Sequence, residues 1–148
     1  MLNFITGENR DVQRFGIMCL KELCENKENR SDLFEQTPAQ PMLDAVFQLV
    51  NSSDPRVRMM AGLTLVALLG ESDNKLIMLD AGSLPRMLVF LRSRDPHLRR
   101  LAVDCIVHIT KLQDIHPLPI AHCHIVRADD VVAAIVEAFG FETDPGLL

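Results

Sequence analysis

The sequence predicts an all-α fold, an α-solenoid of repeated helical units, and three observations carry that prediction. Asp54-Pro55-Arg56-Val57-Arg58, followed by Met60-Ala61, Leu65 and Leu68, returns 41 residues later as Asp95-Pro96-His97-Leu98-Arg99, followed by Leu101-Ala102, Ile106 and Ile109. Upstream, Val12, Gly16, Leu20 and Leu23 hold the places of Val57, Ala61, Leu65 and Leu68 at an offset of 45 residues. Self-similarity at roughly 40–47 residues, with helical spacing inside each unit, marks a helical solenoid. Aromatic residues are 5% of the chain and all are Phe, so Leu, Met, Val and Ala must fill the core, as they do between packed helices. Such a fold is a surface for holding partners and seldom carries chemistry.

In chain order, residues 11–24 read as a helix with Val12, Phe15, Gly16, Cys19, Leu20 and Leu23 on one broad face and Asn9 or Asp11 as its cap. The polar run 25–29 ends it, and a short helix over 29–36 is expected to bury Leu33 and Phe34. Pro38 and Pro41 break the chain, the second falling in the first turn of a helix over 41–50 with Leu43, Val46, Phe47 and Val50 on one face. Asn51-Ser52-Ser53-Asp54-Pro55 then supplies a turn, a cap and a first-turn proline. A long helix over 55–69, closed by Gly70, is followed by a short helix over 74–79. After the turn Asp80-Ala81-Gly82-Ser83, Leu84, Met87, Leu88 and Leu91 repeat the 41–50 face, and a last long helix covers 96–112.

Asn74-Lys75, then Asp80-Ala81-Gly82-Ser83-Leu84-Pro85-Arg86-Met87-Leu88, then Asp95-Pro96-His97-Leu98 and Ala102, resembles the armadillo-repeat consensus. Three helices per unit, one short and two long, separate this pattern from the two-helix HEAT type. The resemblance implies a right-handed solenoid in a single domain: a partial repeat over 1–26, repeats over 27–70 and 71–112, and a partial repeat over 113–148. It also implies that the third helices line a concave groove for an extended peptide. In that register the Asn-like positions fall on Glu22, Ala67 and His108, and the Trp-like positions on Met18, Leu63 and Asp104. Without Asn amides there is no bidentate backbone clamp, and without Trp there are no aromatic walls. The implied groove is therefore not of the importin-α type; its acidic and thioether groups suit a segment with Lys or Arg and an apolar anchor. Asp104 and His108 stand four apart, so the carboxylate is expected to favour the protonated imidazole.

The period departs from the pattern at both ends. Val131, Ala134, Ile135 and Ala138 fit a further second helix, but Val131 lies 47 residues past Leu84, and the extra residues fall within 113–121. The loop over 113–124 is thus a second candidate contact. Residues 1–7 match only the tail of a second helix, so Leu2, Phe4 and Ile5 should leave an open apolar face beside helix 11–24, where a second copy or further repeats would pack.

Composition narrows the function. A net charge of −5 disfavours nucleic acid, no apolar run reaches the roughly 18–20 residues of a membrane span, and the start lacks a secretory pattern. The expected setting is cytoplasmic or nuclear, with Cys19 and Cys105 as reduced, buried thiols. Arg86, Arg92, Arg94, Arg99 and Arg100, with His97, crowd one turn region and could meet an acidic motif, but Asp95 and the preceding helix end partly neutralise them and a solvated basic edge is the better reading. His116, His122, Cys123 and His124 match no common zinc spacing, so no metal is assigned and they read as ordinary loop residues. Asp129-Asp130 reads as a helix cap, and no phosphate loop, nucleophile elbow or metalloprotease motif occurs. The expectation is a non-enzymatic interaction scaffold with a protein or peptide partner and no cofactor; a self-associating module, or a recruiting segment of a larger protein, is the alternative.

Overall fold

The computed structural model describes residues 2–110 and Val136, and these are built from helices and turns with no strand among them. In order the helices are α1 (Leu2–Thr6), α2 (Arg10–Glu25), α3 (Lys27–Gln36), α4 (Ala39–Val50), α5 (Pro55–Leu68), α6 (Ser72–Asp80), α7 (Ser83–Leu91) and α8 (Pro96–Thr110). The chain forms two compact units, Met1–Ser83 and Leu84–Leu148, and the boundary falls inside the repeat expected over 71–112.

One capping motif recurs at the helix starts. Asn9, Asn26, Asp54 and Asp95 each accept a backbone N–H two residues on, satisfying an orphan donor of the first turn. Four residues past each cap, a long polar side chain turns back to the carbonyl two residues before the cap. Gln13 donates to Gly7 O (2.6 Å), Arg30 to Cys24 O (2.9 Å), Arg58 to Ser52 O (2.8 Å) and Arg99 to Ser93 O (3.0 Å). Ser52 and Ser93 hydroxyls also accept from the backbone N–H groups of Asp54 and Asp95. The 41-residue repetition is thus one set of hydrogen bonds made twice.

In the first unit α2 packs on α5, α4 packs on α5, α1 lies against α2 and α4, and α3 meets α2 and α6. Ile5, Ile17, Leu20, Leu43, Val46, Val50, Val57, Leu65, Leu68 and Met78 form its core. α1 approaches α2 so closely at Gly16 that an added Cβ would stand 3.0 Å from both Ile5 Cγ2 and Phe4 Cβ, which explains a glycine inside that helix. Gly82, at φ +70°, makes the turn after α6. In the second unit Met87, Phe90, Leu91, Ala102, Cys105, Ile106 and Ile109 are buried. Leu65 and Ile106 are buried, as the repeat register requires.

Several boundaries and burials differ from the sequence reading. α3 begins at Lys27, because Asn26 alone both ends α2 and caps α3, and Leu33 and Phe34 are only half-buried. α4 begins at Ala39 with Pro41 in its first turn, and α6 runs from Ser72 to Asp80. The buried face of α2 is Gly16, Ile17, Leu20 and Cys24, not the broader stripe expected; Val12, Phe15 and Cys19 are exposed. Among the described cysteines the buried thiols are therefore Cys24 and Cys105.

Candidate partner-binding surface

Residues of α2 and α5 that the armadillo register assigns to a groove lie on the outside of the first unit. Met18 is 42% exposed and Leu63 46%, while Glu22 is exposed and Ala67 half-buried. Met59, one turn before Leu63, is 54% exposed. Two helices packed side by side thus carry three large apolar side chains in water. Glu22 lies beside Lys21, whose ammonium also meets Glu25; these hydrogen bonds, the Glu25 one foremost, raise the lysine's proton affinity and lower that of Glu25.

In the second unit Asp104 is exposed and His108 half-buried. The imidazole Nδ1 stands 2.8 Å from the backbone carbonyl of Asp104. A carbonyl accepts, so Nδ1 carries the proton and donates it to that bond. This corrects the expected carboxylate–imidazole pair: the helix brings the ring back onto its own backbone, four residues earlier. Val103 and Val107 on the same helix are 39% and 43% exposed.

The arginines of the second unit differ in exposure and in what they engage. Arg99 is half-buried and clamps the turn, donating to Ser93 O and, at 3.1 Å, to Arg94 O. Arg86 and Arg92 are engaged in interactions of their own, and Arg94 and Arg100 are exposed. His97 gives its backbone N–H to Asp95. The 113–124 loop, His116, His122, Cys123, His124 and Asp129-Asp130 lie outside the described residues. Among those described, no His, Cys, Asp and Glu grouping could hold a metal ion.

Sequence reasoning missed the polar seam of the first unit. Arg14 Nη2 meets Asp54 Oδ2 at 2.6 Å, joining α2 to the cap of α5. That hydrogen bond, with the Arg56 N–H on the other oxygen, holds the Asp54 carboxyl below the usual range. Arg30 Nη2 meets Glu71 Oε1 at 2.7 Å, both side chains being 17% exposed, and Asn74 Nδ2 donates to the Arg30 carbonyl at 2.9 Å. Burial pushes the Cys24 thiol up to about 12 against the opposing pull of Arg30, so this cysteine is chemically quiet. The recurrence of a long polar residue four places past each cap was visible in the sequence, and would have marked Arg30, Arg58 and Arg99 as structural.

No family model matches the chain, and no curated protein matches it. No helix of the described residues is long and apolar enough to cross a membrane.

Proposed function

We propose that this chain is a non-enzymatic interaction scaffold, an α-solenoid of armadillo-type repeats that holds a partner segment along α2 and α5 of its first unit. The observation that carries the reading is the exposure of Met18, Met59 and Leu63 on two packed helices, with Glu22 beside them. Thioether and aliphatic groups adapt to an apolar anchor, and the Glu22 carboxylate favours a Lys or Arg in the same segment. Support for the repeat class comes from the capping motif repeated at 41 residues, the packing of α2 on α5, and the left-handed Gly82 in the turn between α6 and α7. A cytoplasmic or nuclear setting is part of the same proposal.

The test is affinity capture from source-cell lysate, followed by binding of the captured partner to variants. Glu22→Ala should weaken binding by roughly 1–3 kcal/mol with the fold intact, if this carboxylate is desolvated in the complex. Leu63→Glu should abolish it. Unchanged affinity in both would move the contact to the 113–124 loop or to the opposite face.

A further inference from the structure

We propose that Met18 and Met59 are a reversible oxidation site: a hydroperoxide converts their thioethers to sulfoxides, and the α2–α5 surface then releases its partner segment. The inference rests on the function proposed above and adds a regulation to it.

Exposure singles out these two sulfurs. Among the described methionines, Met42, Met78 and Met87 are buried and Met60 is half-buried, whereas Met18 and Met59 are exposed. Attack on a thioether follows its access to solvent, so a limited dose of peroxide reaches Met18 and Met59 while the core methionines stay reduced. The two stand on helices that pack on each other, on the surface assigned to the partner. Their exposure belongs to the repeat itself. Met18 recurs 45 residues on as Leu63 and a further 41 on as Asp104, and both are exposed; Met59 recurs as the exposed Arg100.

The chemistry is a two-electron oxidation. The sulfur lone pair takes one oxygen of hydrogen peroxide: the O–O bond breaks, an S–O bond forms, and the other oxygen leaves as water with both protons. A flexible apolar side chain becomes a polar one. Buried against an apolar anchor, the sulfoxide oxygen is an acceptor with no donor, so the bound state is penalised and the free protein is not. Leu63 has no oxidisable atom, so the surface is altered without being dismantled. Methionine sulfoxide reductases reverse the step, one for each sulfoxide epimer; a dithiol supplies the two electrons and becomes a disulfide, and the oxygen leaves as water. Cys19 is exposed as well, but its sulfenic acid and disulfide forms are returned by dithiothreitol alone, which separates thiol from thioether effects.

The probe is a peptide selected by phage display on the reduced full chain and kept only where Leu63→Glu abolishes its binding. After limited hydrogen peroxide, then dithiothreitol, peptide mapping should find the sulfoxides first at Met18 and Met59, with helicity by circular dichroism retained. Fluorescence anisotropy should show affinity for the peptide lowered roughly tenfold or more, and both sulfoxide reductases together should restore it. Met18→Leu with Met59→Leu keeps apolar volume and should bind the peptide whether or not peroxide has been applied. Should that double variant bind nothing, recovery with the reductases decides. Oxidation of Met42, Met78 or Met87 at an equal rate would overturn the proposal. So would lost helicity, recovery with dithiothreitol alone, or a peroxide effect that persists in the double variant. If no selected peptide depends on Leu63, the surface reading fails and takes the oxidation site with it; if one does and its affinity ignores the sulfoxides, the oxidation site alone fails.

Discussion

Replacing Arg30 with Ala should destabilise the first unit by about 2–3 kcal/mol, and the estimate follows from its partners. The guanidinium donates to Glu71 Oε1 at 2.7 Å, to Cys24 O at 2.9 Å and to Glu25 O at 3.2 Å. Hydrogen bonds to charged groups contribute about 1.5–3 kcal/mol each and neutral ones about 0.5–1.5. Rupturing a buried pair costs about 3–5 kcal/mol, whereas an exposed pair contributes about 0–1. With 17% of each side chain exposed, the Arg30–Glu71 pair falls between these limits. One term opposes the loss. Arg30 Nε is buried with no hydrogen-bond partner among the described residues, and the variant removes that cost of about 1–3 kcal/mol. The Asn74 hydrogen bond survives, because it uses the Arg30 backbone carbonyl. Urea unfolding followed by circular dichroism measures the difference, and Glu71→Ala completes a double-mutant cycle with an expected coupling of about 1–2 kcal/mol. A loss under about 0.5 kcal/mol, or strictly additive single variants, would refute the view that this pair ties α3 to α6.

Other perturbations read other parts of the fold. Leu65→Ala should cost about 2–5 kcal/mol and Ile106→Ala a similar amount; chemical denaturation showing under about 1 kcal/mol at both would undermine the repeat register. Gly82→Ala should cost about 1–2 kcal/mol through its positive φ alone, since an added Cβ meets nothing within 4 Å, and a neutral melting curve would contradict that. Asp54 is held below the unfolded carboxyl value of about 3.9, so its stabilisation is complete above that pH and is lost as pH falls through the lower folded value. Asp54→Asn should therefore flatten the acid limb of the stability profile, and an acid limb unaltered in slope argues against the Arg14 contact. At pH 8 Cys24 and Cys105, pushed up to about 12 by burial, should resist alkylation in the native protein while Cys19 reacts; peptide mapping of early labelling at Cys24 or Cys105 would disprove their burial.

Local chemistry made much of this protein legible from its sequence alone. Cap residues and prolines announce helix starts within a turn or two, because the donors they satisfy lie within three residues of them. The 41-residue echo exposed the repetition for the same reason: Asp54 and Asp95 make the same local hydrogen bonds. Glycine at 82 marked the turn that needs a left-handed residue. Periodicity also identified α2 as amphipathic, but it could not say which apolar side chains are covered. Val12, Phe15 and Cys19 match residues that are covered or half-covered in α5, yet they are exposed, because among the described helices none packs on that stripe of α2 as α2 itself packs on α5. Nor could spacing assign Arg30 to Glu71 or Arg14 to Asp54, pairs 41 and 40 residues apart that exist only once the helices are side by side. His108 shows the same division on a smaller scale: the four-residue interval to Asp104 was evident, yet rotamer and backbone chose the carbonyl over the carboxylate. Helix ends and turns are decided by residues a few places apart, so sequence determines them; burial, seam charges and open edges depend on which helix lies alongside, and only the tertiary structure decides that.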